Sequence, residues 1–335
     1  SSLEDIGAGF ALMPKRYLLI ESLEKLLELE NTTAFNDLLQ FVKSHPGWTI
    51  IASGRDYAYQ QISFNFLQPS GVRHSPLAIS GFNDDEIQYL CEKFESLRSL
   101  VKNQSLRPLL KNPFFANLAY RVTQVGTEFS SEDDEKEFQK AVWRDVISKE
   151  SVRTDGLPLK RKQTFIDISV KRAKQMVYGI SDREFDPFAL QKLEEYNLIR
   201  RESLSGLVSP SHDVLEDWAL EKYIEEEFQA TFGEIHGFLK AVGHEPAMNR
   251  AFRQWLYQKL KFGEDVKSLI LDILRDNEIE RCWQDETITA VLLGNDSHKF
   301  LEELSDQLFA NDNELLKRFC FILRISCKIP DQDLI

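Results

Sequence analysis

The sequence predicts a short parallel α/β segment followed by a mostly helical remainder, and three observations predict it. Tyr17-Leu18-Leu19-Ile20 and Trp48-Thr49-Ile50-Ile51-Ala52 are brief, continuous apolar runs, the pattern of strands in a buried parallel sheet. Between them Phe35, Leu38, Leu39 and Val42 share one face of a helix. After Gly81 apolar residues recur at helical spacing almost to the end. One hairpin signal interrupts them, Leu198-Ile199-Arg200-Arg201 and Leu207-Val208-Ser209 around a turn at 203–206.

The elements follow in order. Asn31-Thr32-Thr33 precedes the first helix and Pro46-Gly47 stops it. Strand, helix and strand with short links imply a right-handed parallel crossover. Leu77-Ala78-Ile79 is expected as a third strand. Asn83 with Glu86 three residues on is a capping-box start, and Ile87, Leu90, Cys91 and Phe94 stripe the helix after it. One short helix should end near Lys111 and another should cover 113–122. The acidic stretch 130–137 reads as a solvated helix start or linker. From Phe138 to Phe228 the pattern is helix, helix, helix, hairpin, helix. Ile166, Val170, Ala173 and Val177 stripe one of these helices, and Asp186-Pro187 opens another with proline at its first position. Three helices closed by a hairpin describe a winged helix. Beyond it lie stripes at Val266, Leu269, Ile270 and Ile273, at Phe300, Leu301, Leu304 and Leu308, and from Leu315 to Leu323. Asn/Asp-rich breaks separate them, as in stacked helix pairs of a solenoid-like array. The expected divisions are 1–80, 81–128, 129–228 and 229–335.

Composition narrows the function. The 335 residues amount to about two to three domains. The 42% hydrophobic content fills real cores and excludes wholesale disorder. No apolar run approaches the length of a membrane span. A net charge of −13 disfavours a general nucleic-acid coat protein. Cys91, Cys282, Cys320 and Cys327 show no metal spacing, so they are expected as buried thiols in a reducing, cytoplasmic setting. The start at Ser1-Ser2, with neither initiator Met nor signal sequence, and the stop at Ile335 suggest an excised piece of a longer protein.

Four places could carry chemistry. Leu19-Ile20-Glu21-Ser22-Leu23-Glu24-Lys25 is a strand ending in acids, which can hold Mg²⁺ and orient an attacking water, or simply start a solvated helix. Ile50-Ile51-Ala52-Ser53-Gly54-Arg55 ends the next strand in an arginine able to reach a terminal phosphate, or to form a surface ion pair. Asn112-Pro113 begins a helix. Ser211-His212-Asp213 places a histidine at a helix start, where it can donate to phosphate; the plain reading is an N-capping Ser211 followed by a satisfied histidine.

Taken in this order, these segments resemble the STAND class of signal-transducing nucleoside triphosphatases, relatives of the NACHT and NB-ARC ATPases. Residues 18–26 look like the Walker B stretch and Ser53-Gly54-Arg55 like the first sensor. Asn112-Pro113 looks like the site of an adenine-packing proline, and His212-Asp213 like the His-Asp of the MHD motif. The resemblance covers about residues 16–228. It implies the remnant of a P-loop NTPase sheet, a small helical domain, a winged helix and a helical array, acting as an ATP/ADP switch. It implies that Glu21 supports Mg²⁺, Glu24 orients water, Arg55 senses the terminal phosphate, Ser53 and Pro113 contact the nucleotide, and His212 binds the β-phosphate. Protein partners or self-assembly would engage the array.

The departures are specific. Glu21 stands where aspartate is usual, Lys25 where many relatives carry an acid, and Ser211 where the motif has methionine. The dipeptide Gly-Lys never occurs, so the phosphate-cradling Walker A loop is absent from this sequence, and ATPase activity is expected only of an intact parent protein. Two other readings stand beside the switch. A winged helix can bind nucleic acid, and residues 156–205 hold ten Lys/Arg against seven Asp/Glu. A helical interaction scaffold needs no ligand. No His-Glu-x-x-His or Gly-x-Ser-x-Gly motif supports another hydrolase.

Overall fold

The computed structural model describes residues 15–28, 31–45, 47–54, 56–150, 156–202, 205–294 and 297–326. Helix makes up 66% of it, with small sheets. The chain divides into two units, Ser1–Gly81 and Phe82–Ile335.

In the first unit β1 (Arg16–Ile20) pairs in parallel with β2 (Trp48–Ala52), Leu18 opposite Ile50. The amphipathic helix α1 (Thr33–Ser44) makes the crossover. A 3₁₀ turn over Leu23–Glu28 follows β1, and α2 (Asp56–Ile62) follows β2. Leu23, Phe35, Leu39, Ala58, Ile62 and Phe66 form the core, with Ile20 and Ile50 packed against it. Strand alternation sends Tyr17, Leu19 and Ile51 to the opposite face, where all three are exposed. The expected third strand does not form: 72–80 has no regular structure, and Leu77 and Ile79 are exposed. Three apolar residues behind Pro76, which lacks an N–H, have no paired neighbour to hold them.

The second unit opens with α3 (Asp84–Lys93), whose capping box is complete: Asn83 Oδ1 accepts from the Glu86 N–H at 2.9 Å, and Glu86 Oε2 accepts from the Asn83 N–H at 2.8 Å. Short turns lead to α4 (Pro113–Thr123) and α5 (Glu135–Val142); Asp134 caps α5, so the acidic stretch is a helix start. Helices α6 (Pro158–Gln175) and α7 (Pro187–Glu195) come next, α7 opening with Asp186 as cap and Pro187 at its first position. Strands β3 (Ile180–Ser181), β4 (Ile199–Arg201) and β5 (Leu207–Pro210) form an antiparallel sheet in the order β3-β5-β4. The hairpin is where the sequence puts it, although Ser203 and Leu204 of its turn lie outside the described residues. Strand β3 was not anticipated. Gly179 permits it, because a Cβ there would lie 3.0 Å from Leu207 Cβ. Val177 does not extend the α6 stripe: Met176 turns left-handed at φ 52 and ends the helix, leaving Val177 exposed.

Helix α8 (Asp213–Ala230) starts the rest, followed by α9 (Ile235–Val242), α10 (Pro246–Lys261), α11 (Lys267–Arg275), α12 (Arg281–Leu293), α13 (Ser297–Glu303) and α14 (Glu314–Ser326). One core runs from Ile87 to Ala219 and a second from Ala173 to Ile322. Helices α6 and α8 belong to both: Phe165 and Leu215 lie in the first, Ala173 and Ile224 in the second. Of the thiols Cys91 alone is buried among the described residues. Cys282 is half-buried and Cys320 exposed, which corrects the expectation of uniformly buried thiols, and Cys327 lies outside the described part. No described helix is long and apolar enough to cross a membrane.

Candidate functional site

In the first unit the carboxyl ends of β1 and β2 are stitched together. The Ser53 N–H donates to the Ile20 carbonyl at 2.9 Å, and the Leu23 N–H donates back to the Ser53 carbonyl at 2.8 Å. Ser22, left-handed at φ 56, turns its N–H toward Ser53 Oγ at 3.3 Å. Glu21, exposed, therefore follows β1 beside Ser53, which follows β2. Glu24 falls in the 3₁₀ turn with its side chain outside the described part, and Arg55 lies outside the described residues. Among the described residues no group of three or more acids, histidines or cysteines is arranged around a metal position.

In the second unit two of the predicted segments meet. Asn112 Oδ1 caps α4 by accepting from the Phe114 N–H at 2.9 Å, with Pro113 exposed at the first helical position. At the start of α8 the cap is His212, not Ser211. Its Nδ1 accepts from the Val214 N–H at 3.2 Å, while the Ser211 hydroxyl donates to the Asn197 carbonyl at 2.7 Å. The expectation for Ser211 fails because that hydroxyl has a nearer carbonyl on the segment after α7. The neutral His212 ring then carries its proton on Nε2. The ring stacks on Phe114, with centroids 3.6 Å apart and planes 12° from parallel.

His212 and Phe114 line a cleft of about 570 Å³ that is closed by the end of α7 and by the segment after α5. Sequence reasoning missed its charged residues. Arg121 on α4 donates to the Tyr196 carbonyl at 2.8 Å, and Lys149 Nζ sits 3.5 Å from the centre of the Tyr196 ring. Burial pushes the Arg121 guanidinium below its ordinary value. Lys149 is left-handed at φ 51, and the fully buried Arg161 donates to the carbonyls of Ser148 at 2.9 Å and Lys149 at 3.2 Å. Arg161 thus holds the turn that presents Lys149. No periodicity or motif links Arg121, Lys149 and Tyr196; only Phe114, next to Asn112-Pro113, had a signal nearby.

The cations that suggested nucleic-acid binding are largely engaged within the protein. Lys160 pairs with Asp186, Lys162 with Glu226, Lys171 with Glu184, Arg172 with Glu216, and Arg201 with Asp182 and Glu194. Lys174 donates to the Ala241 carbonyl at 2.6 Å.

No protein-family model matches this chain, and no curated protein matches it in sequence.

Proposed function

We propose that this chain is the nucleotide-controlled switch module of a STAND-type regulatory ATPase. In this reading 1–80 is the rear of the nucleotide domain, 81–128 a small helical domain, 129–228 a winged helix with its wing at β4–β5, and 229–335 an array for protein partners or self-assembly. The observation that carries the reading is the meeting, in one cleft, of the helix opened by Asn112-Pro113 and the helix opened by His212. Further support comes from Glu21 and Ser53 at adjoining strand ends. The bare apolar face of Tyr17, Leu19 and Ile51 adds to it, since parallel sheets are ordinarily covered on both faces.

ADP would hold the closed state, and exchange for ATP would release it. His212 Nε2–H is the group that would donate to the β-phosphate, while Nδ1 keeps its capping bond. Such a bond to a charged acceptor contributes roughly 1.5–3 kcal/mol. His212→Ala in the full-length protein should therefore release ADP about ten- to a hundredfold faster and raise spontaneous output. The test is ADP dissociation and thermal stability measured on one preparation. A lower melting temperature with an unchanged ADP off-rate would make His212 only a cap stacked on Phe114, and the reading would lose its main support.

A further inference from the structure

Among the described residues the second unit brings two cations without a counter-charge to one place. Arg121 and Lys149 come from different elements and converge on Tyr196, the guanidinium on its carbonyl and the ammonium on its ring. Neither meets a carboxylate among the described residues. The cleft does contain two carboxylates, and both are committed elsewhere. Asp145 is buried, accepting from Arg144 Nε at 2.8 Å, Arg144 Nη2 at 2.6 Å and the Thr127 hydroxyl at 2.7 Å. Glu195 accepts from Lys192 Nζ at 2.6 Å and Gln191 Nε2 at 3.0 Å.

The cleft is therefore locally cationic within a chain of net charge −13. A half-buried guanidinium without an anion is costly, and the left-handed backbone of Lys149 is strained. The guanidinium's desolvation cost is offset when an anion enters between the two groups. The side-chain amides of Asn117 and Gln124 also line the cleft and offer neutral donors to further oxygens. The volume of about 570 Å³ is that of a small-ligand pocket.

We propose that Arg121 and Lys149 form a binding site for a phosphate-bearing anion in the cleft between α4, α7 and the segment after α5. The carrier of the phosphate is either a nucleotide or a free polyphosphate. The inference rests on the switch reading only for the nucleotide as carrier. Lys149 acts as a point charge on the phosphoryl oxygens, and Arg121 supplies a planar pair of donors.

The probe is pyrophosphate, titrated calorimetrically into the chain in chloride buffer free of phosphate and sulfate. Binding should weaken with added salt, and Lys149→Gln should weaken it about tenfold or more. Lys149→Arg should retain most of it, and pyrophosphate should raise the melting temperature of the wild type but not of Lys149→Gln. Failure of pyrophosphate to bind at millimolar concentration, or equal binding by Lys149→Gln with an unchanged melt, overturns the proposal. Parallel titrations with ADP separate the two readings. ADP binding tighter than pyrophosphate and equally dependent on Lys149 supports the nucleotide as carrier. ADP binding no tighter than pyrophosphate leaves the anion site standing and counts against the switch. ADP binding indifferent to Lys149→Gln removes the nucleotide as carrier at this site and leaves the anion site to the pyrophosphate result.

Discussion

Glu221 should make this protein less stable as pH rises through neutrality. The residue lies on α8 in a cleft of about 560 Å³ lined by Trp143, Trp218 and Trp255. Burial pushes its carboxyl from 4.5 up to about 8, the charges of Asp217 and Glu135 add to the rise, and a hydrogen bond with Gln139 opposes it. The unfolded chain ionises this group near 4.5, whereas the folded chain keeps the proton until about 8. Between those values the native state holds more protons than the unfolded state, so stability falls with pH and the loss is complete above about 8. At about 1.4 kcal/mol per pH unit the full loss amounts to a few kcal/mol, with solvent that reaches the cleft lowering it. Glu221→Gln keeps a partner for Gln139 and removes the titration. Urea unfolding followed by tryptophan fluorescence reads the right unit, since four of the five tryptophans lie beyond Gly81. The variant should match the wild type near the lower value and exceed it by several kcal/mol above the upper one, the gap opening steadily between. Parallel stability profiles for the two proteins across that range would refute the reasoning.

Two further outcomes are expected. The chain by itself should not turn over ATP, because positioning and charge stabilisation of the phosphates supply nearly all of this catalysis and the Gly-Lys loop is absent from the sequence; steady hydrolysis that Glu24→Gln abolishes would count against the switch reading. Asn83→Ala removes one bond of the capping box and should cost about 1 kcal/mol in chemical denaturation, whereas a loss within error would show that α3 is held by Ile87 and Cys91 alone.

Signals between chain neighbours were legible in the sequence. The strands at 16–20 and 48–52, the crossover helix between them, the Asn83–Glu86 box, the Asp186-Pro187 start and the hairpin around 203–206 all depend on residues a few positions apart. Backbone geometry and local hydrogen bonding act at that range, so residue order suffices. The tertiary structure decided the rest. Leu77-Ala78-Ile79 has strand composition, yet a strand exists only where another backbone offers its ladder. Ser211 and His212 are both able to cap α8; the choice fell to the Asn197 carbonyl and the Phe114 ring, each brought there by a distant element. Arg121, Lys149 and Tyr196 come from three separate segments, and their cleft exists because the shared core from Ile87 to Ala219 packs those segments together. Glu221 has an ordinary glutamate's sequence context, and its proton affinity comes from the desolvation that α5, α8 and α10 impose on it together. Charge, burial and hydrogen-bond partners at a site depend on all the elements packed around it, and a linear pattern encodes only the element that carries the residue.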